Sequence, residues 1–155
     1  MEIDRDKIED WATEYTAQAE FPLLIAKMVY ATLAPGDYSY IPWGSAVNIG
    51  GWDGLVCSEN GAGFIPAGRS IIEFGTDKSP KKKAEKDYSA RTNSKGEIID
   101  KSETTFIFMT PHCWKGCEKW QESKKRRDME RCPCLRFSGH CQFVAKNGVG
   151  CFLAG

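Results

Sequence analysis

The chain has 155 residues, with 21 basic and 21 acidic side chains and no formal net charge. That length suits one domain with a real core. The even balance excludes a global basic footprint for nucleic acid, so any such contact must come from local patches.

Two patches exist, Lys81 to Lys86 and Lys124 to Arg131, and either one alone reads as a solvated helix face. The amino terminus, Met1-Glu2-Ile3-Asp4-Arg5-Asp6-Lys7, is too charged for a signal peptide. The longest apolar stretch, Phe21 to Ala34, is short, carries Lys27 and does not suit a membrane span. The expectation is a soluble, cytoplasmic protein with reduced thiols and no membrane partner.

Residues 5–33 read as helix, with Ile8, Trp11 and Tyr15 recurring at three and four residues. Pro22 predicts the start of a second helical segment, because proline fits a first turn. Leu23, Leu24, Met28, Val29 and Leu33 would give that segment its apolar face, and Ala34-Pro35-Gly36-Asp37 stops it. Ser45 to Ile49 and Trp52 to Cys57 are short β-rich runs around Gly50-Gly51, which suggests a bulge or tight bend. Ser70 to Phe74 reads as a strand. Ser79 caps a helix with Pro80 at its first position, running to about Ala90. Thr92 to Ser102 is polar and loop-like, Thr104 to Met109 is a buried strand, and Trp114 to Arg127 looks helical. The order predicts an α/β fold, a mixed sheet with helices on its faces.

Two acids stand out because each ends an apolar run. Asp53 follows Ala46-Val47-Asn48-Ile49-Gly50-Gly51-Trp52, and Glu73 follows Gly68-Arg69-Ser70-Ile71-Ile72. A lysine-rich helix start, Ser79-Pro80-Lys81-Lys82-Lys83-Ala84-Glu85-Lys86-Asp87-Tyr88, lies just behind. Two carboxylates on neighbouring strands can share a divalent cation, and a lysine beside them can orient water or steady a phosphate. Taken singly, Asp53 is a turn acid beside Gly54 and Glu73 a strand acid facing solvent or a lysine. Their joint order favours a site.

An Asp in one strand, a Glu in the next, then a helix and a further apolar strand resembles the PD-(D/E)XK, or restriction-endonuclease-like, nuclease superfamily. The nearer likeness is to bacterial nuclease-like domains fused to large defence-type NTPases. It is carried by Gly51-Trp52-Asp53-Gly54, by Ile65-Pro66-Ala67-Gly68-Arg69-Ser70-Ile71-Ile72-Glu73-Phe74-Gly75-Thr76, and by Lys83-Ala84-Glu85-Lys86-Asp87-Tyr88-Ser89-Ala90-Arg91. It spans roughly residues 15–125.

The resemblance implies a restriction-endonuclease-like mixed sheet and a Mg²⁺-dependent endonuclease acting on DNA, as the amino-terminal part of a larger anti-phage defence protein. Asp53 and Glu73 would bind Mg²⁺, an ion usually held by one or two carboxylates plus substrate phosphate. One departure matters: the superfamily usually has Glu-x-Lys, and here Gly75 stands two residues after Glu73. The lysine must then come from the helix, with Lys83 first and Lys86 in reserve. Lys81, Lys82, Lys86 and Arg91 are candidate nucleic-acid contacts, although an intrahelical Asp87–Arg91 pair is an equal alternative for Arg91. Glu14 or Glu20 on the first helix could assist the metal. Further domains of a longer parent protein, or a second copy in a homodimer, are the other partners considered.

The missing Glu-x-Lys leaves a second reading, a catalytically inactive nucleic-acid-binding module on the same fold. A third is a small zinc-binding interaction protein. Six of the seven cysteines fall in the last third of the chain, and Cys57 stands alone as a small hydrophobe in a strand. Zn²⁺ could be held by Cys132, Cys134, His140 and Cys141, with Cys113 and Cys117 in reserve, although no Cys-x-x-Cys pair exists. The favoured reading of the tail is different. Residues 126–155 form a poorly structured, cysteine-rich segment read out of frame, behind a domain of residues 1–125. One base forward, Met129-Glu130 must spell a tryptophan, and the neighbouring codons permit a Trp-x-x-Val-x-Val-Tyr-Asp strand of the kind the resemblance implies.

Overall fold

The computed structural model describes residues 5–43, 51–93 and 103–131, with side chains described as far as Lys124. The first helical stretch is split in two, α1 (Arg5–Ala12) and α2 (Ala17–Thr32). Tyr15 lies in the break and is 97% exposed, so it does not continue the face of Ile8 and Trp11. Pro22 is inside α2 and not at its start. Its ring is buried there, so packing offsets the backbone bond it cannot donate. The buried face of α2 is Phe21, Ile25, Ala26 and Val29, while Leu23 and Leu24 point outward.

The chain then leaves the helix through Asp37. Its carboxylate accepts hydrogen bonds from the Ala34 and Glu59 backbone N–H groups and from the Ser58 hydroxyl. The Ser58 bond leads in holding the Asp37 carboxyl below its usual range; desolvation opposes it, and the Glu59 and Ala34 N–H groups assist.

Four strands follow: β1 (Tyr38–Tyr40), β2 (Gly54–Ser58), β3 (Gly68–Phe74) and β4 (Thr104–Met109). They lie in the order β1-β2-β3-β4. The first two pairings are antiparallel, and β4 runs parallel to β3. A parallel neighbour requires a crossover connection, and α3 (Pro80–Asn93) lies in it, with Pro80 at its first position as expected. The expected strand at Ser45 to Ile49 lies outside the described residues. The edge strand β1 was not foreseen from the sequence.

Alternation along the strands sorts the core into two layers. Val56, Ile72, Phe74, Ile107 and Met109 pack against Phe21, Ile25 and Val29 of α2. Ile71, Phe106 and Phe108 pack on the other face against Ala84 and Tyr88 of α3 and Trp120 of the last helix, α4 (Cys117–Arg131). This is a mixed α/β architecture. Among the described residues no helix is long and apolar enough to cross a membrane.

Two expectations for the carboxy-terminal third change. The helix continues to Arg131, past the break expected at 126, because its Lys, Arg, Glu and Met are good helix formers. Lys124 is no solvated residue: it is 3% exposed. Its Nζ donates to Glu85 Oε1 at 2.5 Å and lies 4.9 Å from the Tyr88 ring centroid and 5.3 Å from that of Trp120. Glu85 Oε2 accepts the Trp120 indole N–H at 2.6 Å.

This cluster ties α4 to α3 and makes an asymmetric prediction. Glu85→Ala strands a buried ammonium and an indole N–H and should cost about 3–5 kcal/mol in urea unfolding. Lys124→Met keeps the packing and should cost less than about 1 kcal/mol. Equal costs would mean that the pair contributes only volume.

Candidate active site

The site forms where β2 begins and β3 ends. Register sets it: Gly54 pairs with Ile72, so one step further Asp53 comes opposite Glu73. The Phe74 backbone N–H donates to Asp53 Oδ2 at 3.0 Å, which fixes the Asp53 carboxylate against the end of β3. Glu73 is 2% exposed and lies on the sheet face that carries Ile71 and α3. A buried carboxylate needs a partner, and here it is Arg91: its Nε donates to Glu73 Oε1 and its Nη2 to the Gly51 carbonyl.

Lys83 supplies the second cation. Its Nζ donates to Asp87 Oδ2 at 2.6 Å, one helical turn away. The stem of Lys83 runs across Gly75, where an added Cβ would lie 3.1 Å from Lys83 Cε and 3.4 Å from Cγ. Gly75 therefore leaves room for the Lys83 stem, whose ammonium lies near enough to Asp53 and Glu73 for their charges to act on it. Lys81, Lys82 and Lys86 are exposed.

Three carboxyl groups and two cations thus share one small volume. Burial pushes Glu73 up to about 8, the charge of Asp53 adds to the rise, and Arg91 opposes it. Burial also raises Asp87, against the pull of Lys83. For Lys83, burial works against the charged form, but the Asp87 hydrogen bond and the charges of Asp87, Asp53 and Glu73 outweigh it and raise its pKa. The acids are crowded enough that one holds a proton near neutral pH, the condition under which a bound cation is welcome.

Asp53, Glu73 and Lys83 come together, and Arg91 joins them through its hydrogen bond to Glu73, its charge also acting on Asp87. Glu20 belongs to α2, on the opposite face of the sheet, and accepts from the Trp11 indole N–H at 2.9 Å; Glu14 lies between α1 and α2. Cys132, Cys134, His140 and Cys141 lie outside the described residues, as do residues 132–155 of the tail expected to be poorly structured from 126. Among the described residues no three His, Cys, Asp or Glu side chains converge to hold a metal ion. A magnesium ion bound through two carboxylates and a substrate phosphate needs no third protein ligand.

Sequence reasoning did not foresee His112 beside the site. Its Nε2 donates to the Thr76 carbonyl at 2.9 Å, just beyond Gly75. No local signal links these residues, which are 36 positions apart.

No family model matches the chain, and neither a curated protein nor a solved structure matches it.

Proposed function

We propose that this is a restriction-endonuclease-like domain that hydrolyses DNA phosphodiester bonds with Mg²⁺. The observation that carries the reading is the juxtaposition of Asp53, held against the end of β3 by the Phe74 N–H, with Glu73, and the Lys83 ammonium within electrostatic reach of both. The order of elements supports it: helices, three antiparallel strands, a crossover helix and a parallel fourth strand, with Asp53 just before β2 and Glu73 on β3.

Asp53 and Glu73 would hold the ion, which when bound supplies Lewis-acid activation and neutralises phosphate charge. Lys83, held as a cation, steadies the phosphate or a water beside it. Asp87 keeps the Lys83 ammonium in place. Arg91 donates to Glu73 in the free protein and would become a phosphate donor once that carboxyl group is otherwise engaged.

A silent DNA-binding module on the same fold is the second reading. The specific observation behind it is the Arg91 guanidinium already seated on Glu73. Supercoiled plasmid incubated with the purified protein in Mg²⁺ or in EDTA separates the two. Nicking in Mg²⁺ alone supports the nuclease, and binding without nicking supports the module. Neither binding nor nicking of the plasmid or of its heat-denatured single strand sinks both.

A further inference from the structure

The α3 face of the sheet is covered over β3 and β4, but β1 leaves two large rings uncovered. Tyr38 is 54% exposed and Tyr40 is 53% exposed. They are two residues apart on one strand, so both project from the same face. Register shows which face it is. Tyr38 pairs with Cys57 and Cys57 with Arg69; Tyr40 pairs with Leu55 and Leu55 with Ile71. Ile71 packs against α3 and α4, so the tyrosines share the face that carries Glu73.

The face is therefore ordered in transverse rows. Tyr38, Cys57 and Arg69 form one, Tyr40, Leu55 and Ile71 the next, and Asp53 with Glu73 the third. Arg69 is exposed and brings a positive charge into the Tyr38 row. Among the described residues neither tyrosine has a ring partner or a hydrogen-bonded hydroxyl.

Spacing indicates what fits there. Side chains stand roughly perpendicular to a sheet, and two residues of antiparallel strand advance about 6.8 Å. That is twice the roughly 3.4 Å rise between stacked bases. Rings standing parallel at that separation would accept a flat unpaired base between them as a third layer, which a base stacked inside a duplex could not supply. The next row, another ~6.8 Å along, holds the two carboxylates, so a phosphodiester adjoining the held base falls beside them.

We propose that Tyr38 and Tyr40 form a clamp for one unpaired base of single-stranded DNA, with Arg69 on the neighbouring phosphate, and that this clamp selects single-stranded or frayed DNA as the substrate. The proposal rests on the nuclease-like reading of the adjoining site and adds its substrate class. Exposed aromatic rings beside a cation are the usual platform for unpaired bases, where each ring contributes without reading sequence.

The test is equilibrium binding without turnover, in Ca²⁺ or EDTA, of a labelled single-stranded oligonucleotide and its blunt duplex. A second oligonucleotide carries 2-aminopurine, whose fluorescence is quenched by stacking. Wild type should prefer the single strand and quench the probe. Tyr38→Ala and Tyr40→Ala should each weaken single-strand binding by roughly 5- to 150-fold and lose the quenching. Tyr38→Phe and Tyr40→Phe should retain both. Both tyrosines are exposed, so circular dichroism should show all four variants folded.

A duplex preference, or alanine variants that bind like wild type, overturns the clamp. If duplex DNA is also nicked in Mg²⁺, the nuclease reading survives that failure. If wild type binds neither form of DNA, the clamp and the DNA reading fall together.

Discussion

Asp53→Ala and Glu73→Gln should each reduce Mg²⁺-dependent nicking by at least about a thousandfold. Neutralising the phosphate and activating water are effects of several kcal/mol, and each ~1.4 kcal/mol is a factor of ten in rate. Gln is the better change at position 73 because it keeps a group for Arg91 to donate to. Asp53 is half-buried and accepts one backbone N–H, so its loss removes about 1–2 kcal/mol of stability at most. Lys83→Ala should be the third strong loss, by about a hundredfold or more for one preorganised donor. Lys81→Ala and Lys82→Ala, both exposed, should stay near wild type. Undiminished nicking by either acid variant, in protein shown to be folded, removes the proposed site. Equal effects at the three lysines would reduce the basic run to a general phosphate contact.

The second large effect is on stability. Glu73 in the folded protein titrates near 8, above its ordinary 4.5. Between those values the native state holds a proton that the unfolded chain has released. The unfolded state binds fewer protons, so stability falls as pH rises through the window. The contribution is fully present below 4.5 and lost by about 8, and its size is on the order of a few kcal/mol. Asp87, also raised, adds to the same slope from lower pH. Asp37 is lowered and acts oppositely, losing its contribution only as pH falls below the window, and Lys83 loses its own only above it. Urea unfolding from pH 5 to 8.5 should show the decline, and Glu73→Gln should flatten most of it. A wild-type curve that is level or rising across this range would mean that Arg91 keeps Glu73 ionised throughout.

How far the fold could be read from sequence depended on the range of the forces involved. The strand Thr104 to Met109 was legible because six residues buried on both faces leave a continuous run without polar interruption. The Pro80 start of α3 was legible because proline at a first helical turn is a local rule. The apolar face of α2 was read correctly at Met28, Val29 and Leu33 but not at Leu23 and Leu24, which are apolar yet sit outside the stripe that Phe21, Ile25 and Val29 turn toward the sheet. Strand β1 was missed because three residues at an edge, with two exposed tyrosines, carry too little pattern. Asp53 and Glu73 could be picked out as acids ending strands. The pairing of Arg91 with Glu73 could not, because it joins a helix end to a strand 18 residues away and depends on the crossover being built. The burial of Lys124 was hidden for the same reason, since a basic run predicts solvent until tertiary packing supplies Glu85 and two rings.

The crossing of Lys83 over Gly75 has a consequence for how such sites are recognised. A linear motif records a covalent address, the residue at which a charge is attached. Chemistry depends only on where the ammonium arrives, and the same point can be reached from the strand or from the helix, but not from both at once. An added Cβ at Gly75 meets mainly the Lys83 stem and Asp77 Oδ2, at 3.1 and 3.0 Å, so the two origins compete for one corridor. Gly75 has no left-handed φ, and its backbone tolerates a side chain. The double variant Gly75→Lys with Lys83→Ala should therefore nick DNA faster than Lys83→Ala alone. Gly75→Lys alone should be impaired, with two like charges forced into a passage built for one.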